Sequence, residues 1–482
     1  MTAVRIPLLT GEGGGTPVAS SPQRVYNLYP SVDPANKTGI VWKETPGWRQ
    51  WYYGTSVELR GTIVFLSELY IVRANKLVRD PKGADTEVGI LATSSGKIHM
   101  AEDGISLMIT DGESIYRWDG STYTTITLPL GAVVEHDLTH PTGIISHEGH
   151  FICYDKGTGR FWISDKNRGD VWPNLQYATA EDKPDNITGL ASDRVLWIFG
   201  EYTTQAYYNN GGIFPFIPNP QGLLIYGMMG DTQAQLDNTS YWLARSKYGS
   251  MKVVKATGFA PVAVSSPQLE SEWGRFSTVD DAYANTIMWE GHEWYVLTFP
   301  TAKRTYVYDT QGGWFRWGEL DNGTGDIVAH PMIDYIYFDG KSLFTDGDGN
   351  IQELKTEVYN HNGKVMASGF RTNVQHVGEQ RVFINNIIMD MRTGVSDEGV
   401  MSLRVSYDGG YTWGNWATRS LGKLGKYRHR VQWHRLGSGF NITLEGRITD
   451  EVPRQIMSGV IDVDVYKSYL DNRNDRAGLK DG

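Results

Sequence analysis

Apolar and aromatic residues in this chain fall in short runs that alternate with polar positions, and turns rich in Asp and Gly break the runs at close intervals. Ile115-Tyr116-Arg117-Trp118-Asp119-Gly120 and Tyr306-Val307-Tyr308-Asp309-Thr310-Gln311-Gly312-Gly313-Trp314 share this form. So do Tyr335-Ile336-Tyr337-Phe338-Asp339-Gly340 and Leu403-Arg404-Val405-Ser406-Tyr407-Asp408-Gly409-Gly410. Gly and Asp tolerate the positive φ of tight hairpins, so each such unit predicts neighbouring antiparallel strands. From about residue 40 to 355 these units follow one another with little helical periodicity. They divide near 60–80, 85–127, 142–178, 186–217, 231–264, 282–317 and 326–354. Several hold four strands in roughly 35–45 residues, the size of a propeller blade. Thr232–Leu236, Ser240–Ala244, Met251–Ala256 and Pro261–Val264 are one example. The predicted fold is all-β, a β-propeller of six to eight blades.

Past this region the rhythm relaxes at Tyr359-Asn360-His361-Asn362-Gly363, and longer strands follow: Arg381–Met391, Val400–Ser406, Tyr427–Arg435, Phe440–Arg447 and Val460–Tyr466. Long strands at this spacing predict a C-terminal β-sandwich-like domain. Gly11-Glu12-Gly13-Gly14-Gly15-Thr16-Pro17 holds no regular structure by itself. The expected organisation is an irregular N-terminal arm over 1–35, a propeller over 36–358, a sandwich over 359–466 and a polar tail over 467–482. Val25-Tyr26-Asn27-Leu28-Tyr29-Pro30 is expected to pin the arm to a body.

Composition narrows the classes. The 482 residues include 55 Gly, 16 Trp and 27 Tyr, which suits many short strands and supplies ample core. A formal net charge of −10 argues against a general nucleic-acid binder, which is more often basic. Cys153 is the single cysteine, so no internal disulfide framework exists, and synthesis in a cytosol fits. No run approaches the ~18 apolar residues of a membrane span, and no apolar core of a secretory signal is expected near the start.

Candidate chemistry is weighed against simpler readings. Arg5-Ile6-Pro7 and Ser406-Tyr407-Asp408-Gly409-Gly410-Tyr411-Thr412-Trp413 match the Arg-Ile-Pro and Asp-box patterns of sialidases. The box is physically a stabilised turn, in which Ser and Asp oxygens satisfy turn N–H groups. A single copy outside the propeller region makes it a fold device. Carboxylate pairs such as Asp280-Asp281 and Glu181-Asp182 read as exposed loop charges. His136, His140, His147 and His150 lie near Glu135, Asp137 and Glu148, but Pro141, Gly143 and Gly149 make the segment loop and strand rather than a metal-binding helix. Asp346-Gly347-Asp348-Gly349-Asn350 with Glu357 imitates a calcium loop, yet Ile351 occupies the position that needs Gly, so a hairpin turn is expected. Arg168-Gly169-Asp170 is given no adhesive role, Asn186-Ile187-Thr188 matters only in a glycosylating pathway, and Cys153 reads as a buried thiol. No residue is assigned a catalytic, metal-binding or cofactor-binding role, and no cofactor is expected. One electrostatic feature remains. Strand alternation through Lys426-Tyr427-Arg428-His429-Arg430-Val431-Gln432-Trp433-His434-Arg435 puts Lys426, Arg428, Arg430, Gln432 and His434 on one face. That face suits nucleic acid or an acidic partner, and equally a solvated strand whose charge blocks edge pairing.

Three stretches carry a family likeness. Arg24-Val25-Tyr26-Asn27-Leu28-Tyr29-Pro30 with Thr45-Pro46-Gly47 opens it. Phe161-Trp162-Ile163-Ser164-Asp165, Tyr177-Ala178-Thr179-Ala180-Glu181-Asp182-Lys183-Pro184-Asp185, Ile187-Thr188-Gly189-Leu190 and Trp197-Ile198-Phe199-Gly200 continue it in order. Arg430-Val431-Gln432-Trp433-His434-Arg435-Leu436-Gly437 closes it, with His434 where a basic residue is more usual. Together they resemble the packaged-DNA stabilisation proteins, the tail hubs or nozzles of short-tailed bacteriophages.

The resemblance implies a non-enzymatic virion structural protein, synthesised in the host bacterial cytoplasm and carried in the tail. It implies a homohexameric ring below the portal and its adaptor or head-to-tail connector ring, contacting a tail needle or plug and tailspike or fibre proteins. Such a ring extends the DNA channel, touches genomic DNA transiently and helps retain the genome until ejection. An acidic lumen would let DNA slide without tight phosphate contacts. The alternatives are a sialidase-type carbohydrate-processing propeller, which could act as a monomer, and a glycan-binding tail propeller.

Overall fold

The computed structural model describes residues 3–7, 24–33, 39–54, 57–79, 85–130, 137–180, 185–236, 238–249, 251–374, 380–397 and 399–465. The chain forms two compact units. One comprises Trp48–Lys303 and His330–Lys355; the other comprises Met1–Gly47, Arg304–Ala329 and Thr356–Gly482.

The first unit is a seven-bladed propeller. Blade one is Leu59–Phe65, Glu68–Arg73, Lys76–Arg79 and Thr86–Ile90, joined in sequence order as an antiparallel sheet. Blade two is His99–Glu102, Leu107–Thr110, Ile115–Trp118 and Tyr123–Ile126. Blade three is Pro141–His147, His150–Asp155, Arg160–Ile163 and Tyr177–Thr179. Blade four is Ile187–Ser192, Leu196–Gly200, Thr204–Asn209 and Phe216–Leu224. In blade five, Gly227–Met228 and Ala234–Leu236 both pair with Thr239–Arg245, which leads to Met251–Thr257 and Ala260–Ala263. Blade six enters this unit as the hairpin Tyr283–Trp289 and His292–Phe299. Blade seven is Asp334–Phe338, Lys341–Thr345 and Ile351–Lys355, and Gly47–Tyr52 is its fourth strand. Contacts between the inner strands of blades seven and one close the circle.

The short apolar runs have a direct cause in this architecture. A middle strand lies between two neighbouring blades, so both its faces are buried and it reads as continuous hydrophobe. All six residues of His150–Asp155 are buried. Phe151 and Cys153 pack towards blade two with Met108 and Ile115, while Ile152 and Tyr154 pack towards blade four with Leu190 and Ile198. Blade one likewise splits its side chains: Tyr70, Val72 and Leu77 meet blade two, and Leu69, Ile71 and Val78 meet Leu343 and Ile351 of blade seven. Burial pushes the Cys153 thiol well up, which keeps it a neutral core side chain.

Asp339-Gly340 follows the sequence grammar, two Glu-Gly turns extend it, and Asp119-Gly120 takes positive φ at Gly120 alone. Glu148-Gly149, Glu290-Gly291 and Asp339-Gly340 each have positive φ at both positions, the signature of type I′ turns, whose twist matches that of the strands they join.

The second unit holds two further sheets. One runs Leu28–Val32, Ile40–Glu44, Ile456–Val465, Val382–Met391 and Val431–His434, with Ala3–Pro7 also paired to Ile456–Val465. The other, within this unit, runs Arg304–Asp309, Gly313–Arg316, Arg24–Tyr26, Ser368–Arg371, Thr443–Ile448, Val400–Ser406 and Ala417–Ser420. Val382–Met391 and Val400–Ser406 alternate buried and less buried residues, so each sheet presents one face to a core.

Two expectations differ. Within the residues read as an irregular arm, Ala3–Pro7, Arg24–Tyr26 and Leu28–Val32 are strands, because neighbours distant in sequence supply the pairing that local composition cannot. The strand expected over Tyr427–Arg435 is only Val431–His434. Gly422 and Gly425, at φ +97° and +81°, turn the preceding chain away from extended structure. The tail expected over 467–482 lies outside the described residues.

Candidate interaction surface

Lys426, Arg428 and Arg430 lie in the turns and irregular chain before the short strand Val431–His434, which His434 ends. All four are exposed. The turns are held by backbone acceptors: Lys426 N–H donates to Lys423 at 3.0 Å, and the Thr393 hydroxyl lies 3.4 Å from the carbonyls of both Lys426 and His429. The His429 Nε2 sits 3.1 Å from the Ser420 carbonyl. The shared strand face is therefore absent, but the exposed positive charge is present.

That charge extends further than the selected residues. Arg419, Lys423 and Arg435 are also exposed, and the Arg419 Nε donates to the Gln432 carbonyl at 3.2 Å. Between Asp408 and Glu445 the chain carries no acidic residue at all. This acid-free stretch is the sequence signal of the wider positive patch, and it does not depend on strand alternation.

Beside this segment, on the sheet containing Val400–Ser406, arginines and indoles alternate in a ladder. Arg371 and Arg404 each place their guanidinium 4.7 Å from the Trp413 ring centre. Arg404 also lies 4.6 Å from Trp416, and Trp416 is 5.5 Å from Arg447. Strand register sets Arg371 and Arg404 on either side of Glu445, and Arg404 donates to its Oε2 through Nε at 2.8 Å and Nη2 at 2.6 Å. Arg447 donates to the Tyr26 hydroxyl at 3.3 Å and the Gly325 carbonyl at 2.8 Å. Burial, and next the neighbouring Arg24, pull Arg371 below the ordinary guanidinium range. Three arginines with one carboxylate among them leave this face cationic and rigid. Planar guanidinium stacked on indole has few rotamers left to lose on binding.

The Asp box joins the ladder to the turn. Asp408 accepts the Thr412 hydroxyl at 2.6 Å, the Thr412 and Tyr411 N–H groups and the Ser406 hydroxyl at 2.7 Å. These bonds, the Thr412 hydroxyl foremost, hold its carboxyl well below the usual range. All its acceptor capacity faces its own turn, so the box positions Trp413 and presents no reacting group. Arg5-Ile6-Pro7 lies on the strand Ala3–Pro7, paired to Ile456–Val465, and not on a blade.

The other sequence candidates resolve into structure. Asp346 accepts the N–H groups of Asp348 and Asn350 and the side-chain amide of Gln352, closing a hairpin. His147 and His150 are buried, bonded through Nδ1 to the Ser192 hydroxyl and the Ser164 carbonyl, both at 2.8 Å. His140 is exposed, and His136 lies outside the described residues. Among the described residues no three His, Cys, Asp or Glu side chains are grouped to hold a metal.

On the inner strands a cavity of about 390 Å³ is lined by Glu102, Ser146, Ser192, Gln233 and Gln235 together with Met100, Ile144, Ile145 and Leu190. Lys97, at the entry to blade two, forms an ion pair with Asp231 of blade five, which stands across the ring. Asp334 of blade seven accepts both the N–H and the hydroxyl of Thr62 in blade one, at 3.1 and 2.5 Å. These groups tie blades together.

Comparison with known proteins gives two matches to families. Residues 4–359 match the family described as bacteriophage P22 Gp10, beta-propeller, and residues 369–464 match bacteriophage P22 Gp10, beta-sandwich. No curated protein matches in sequence. Among solved structures, virginiamycin B lyase from Staphylococcus aureus is similar at 14% identity and a TM-score of 0.43, over 64% of this chain and 99% of that one. The Pan2 WD40 domain of Neurospora crassa is similar at 8% identity and a TM-score of 0.41, over 65% and 97%.

Proposed function

Because the chain belongs to the bacteriophage P22 Gp10 family, a family of phage tail structural proteins, we propose that it is the hub of a short tail, assembled as a homohexamer. In this reading the ring sits below the portal and adaptor ring, extends the DNA channel and holds the packaged genome until ejection. The propeller comes before the sandwich along the chain, with Ile40–Glu44 and Arg304–Asp309 contributed to the sheets of the second unit. Needle or plug and tailspike or fibre proteins attach to the finished virion tail, and the subunit is made in the host bacterial cytoplasm. Lys426, Arg428, Arg430 and His434 belong to the surface through which it assembles.

The observation that carries this reading is the succession of both family domains, in order, along nearly the whole chain. Retaining pressurised DNA is a binding task, and strength must come from repeated subunit interfaces rather than from a reaction. The role is tested by negative-stain imaging of the purified protein alone and with its adaptor ring. Sixfold rings in either preparation are expected. A chain that stays monomeric in both overturns the reading.

A further inference from the structure

The two units carry opposite charge. The propeller unit holds 34 Asp and Glu against 22 Lys and Arg, a formal net of −12; the other unit holds 21 against 23, a net of +2. Each distribution is concentrated further. In the second unit the exposed cations Arg419, Lys423, Lys426, Arg428, Arg430 and Arg435 crowd the acid-free stretch beside the arginine–tryptophan ladder.

The propeller concentrates its acids by topology. Blades built from an even number of antiparallel strands return the chain to its starting end, so the first hairpin of each blade turns at the same end of the propeller. Glu68, Glu102, Glu148, Glu290 and Asp339 sit at or beside the first hairpin turns of blades one, two, three, six and seven, and all five are exposed. Asp193 occupies the same turn of blade four. One end of the propeller is thereby rimmed with carboxylates, among which Glu68 and Asp339 pair with Arg79 and Lys341 of their own blades and Asp193 adjoins the exposed Arg194.

We propose that the basic face of the second unit, from Arg419 to Arg435 with Trp416 and Arg404 at its flank, docks the acidic hairpin rim of the propeller of a second copy. The contact joins different surfaces of the two copies, so it repeats head to tail, and closure into a ring follows from the rotation between them. It rests on the tail-hub reading for that closure. Indole, tyrosine and arginine are the side chains that most often carry interface energy, and those of the ladder are already fixed in place. Exposed opposite charges steer encounter and weaken with salt, which fits subunits that must find one another at the end of a filled head.

The test uses the full chain in sedimentation velocity at 50 and 500 mM NaCl, with circular dichroism to confirm folding. Wild type is expected to associate at low salt and dissociate towards monomer at high salt. A basic-face set, Lys426→Glu, Arg428→Glu and Arg430→Glu, and a rim set, Glu68→Lys, Glu148→Lys and Glu290→Lys, should each remain monomeric. Mixed together they should associate again, because the native halves still attract and the two reversed halves attract with their signs exchanged. The milder set Lys426→Gln, Arg428→Gln and Arg430→Gln should weaken association by about tenfold if the reversals misfold. A wild-type ring that survives both charge sets and high salt overturns the contact while the tail-hub reading stands. Loss of binding to a fluorescent DNA duplex by the basic-face set, with the ring intact, assigns the face to nucleic acid and overturns it too. A chain that is monomeric with and without the adaptor ring removes the hub reading and the contact together.

Discussion

The side chain of Asn27 and the backbone of Gly318 form a reciprocal pair across 291 residues: Gly318 N–H donates to Asn27 Oδ1 at 2.9 Å, and Asn27 Nδ2 donates to the Gly318 carbonyl at 2.8 Å. The same Nδ2 reaches the Ala367 carbonyl at 2.8 Å, so one buried amide fastens the three chain segments of the second unit. Asn27 sits at φ +52°, which Asn tolerates better than other side chains, and a Cβ on Gly318 would lie 1.8 Å from the Val328 carbonyl oxygen.

Asn27→Ala orphans three buried backbone groups and adds a strained φ, so a loss of about 3 kcal/mol or more is expected. Asn27→Gly removes the strain and keeps the orphans, and should recover about 1 kcal/mol of it. Urea unfolding followed by tryptophan fluorescence measures both. Equal stability of the alanine variant and wild type would show that the clasp contributes nothing.

Thr62 and Asp334 join the first and last blades. Thr62→Val removes the hydroxyl donor at 2.5 Å and leaves the N–H bond, at an expected cost of about 1–2 kcal/mol. Hydrogen exchange should quicken first in blades one and seven, since opening there releases the ring. Uniform acceleration over all blades would place the effect elsewhere.

His330 makes the propeller sensitive to acid. It is buried against Trp48, at 4.6 Å between ring centres, and its Nδ1 accepts the Met332 N–H, so burial pushes its pKa down to about 3. Unfolded histidine titrates near 6.5. Between those values the unfolded chain holds a proton that the folded one refuses. Stability is therefore complete above about pH 6.5 and falls as pH drops towards 3, by an amount on the order of 4 kcal/mol. His330→Asn supplies an acceptor that does not titrate. Its melting temperature should be lower at pH 7 but should decline less between pH 6.5 and 4 than that of wild type. Parallel declines would rule this histidine out as the source.

Arg404→Ala removes a cation from between Trp413 and Trp416 and leaves Glu445 without its arginine. A loss of about 2 kcal/mol is expected from the two ring contacts and the stranded carboxylate. Arg404→Lys should recover little, because an ammonium neither stacks as a plane nor bonds through two nitrogens at once. Differential scanning calorimetry of the three proteins decides it; full recovery by lysine would reduce the ladder to simple charge.

The legible parts of the fold were those whose physics is local. Asp339-Gly340 announces its turn because positive φ is a property of two residues, and the apolar run through Cys153 announces a strand that the structure buries on both faces. The exposure of Lys426, Arg428 and Arg430 was legible for the same reason. What pairs across the chain was not. Ala3–Pro7 gains its strand from Ile456–Val465, and the ladder exists only because register sets Arg371, Glu445 and Arg404 abreast on three strands. The turn at Tyr427-Arg428 defeats the alternation drawn through Lys426 and His434, since parity holds only while the chain stays extended.

The strand Gly47–Tyr52 has a consequence for biosynthesis. It completes a sheet whose other strands, from Asp334 onward, emerge from the ribosome much later. At ~5–20 residues per second the wait is roughly 15–60 s, during which Trp48 and Trp51 have no sheet to join. A prematurely terminated polypeptide therefore carries an open propeller and an exposed tryptophan edge, which chaperones and proteases recognise. Only finished subunits present a closed rim, so translation itself screens which copies are fit to enter a particle.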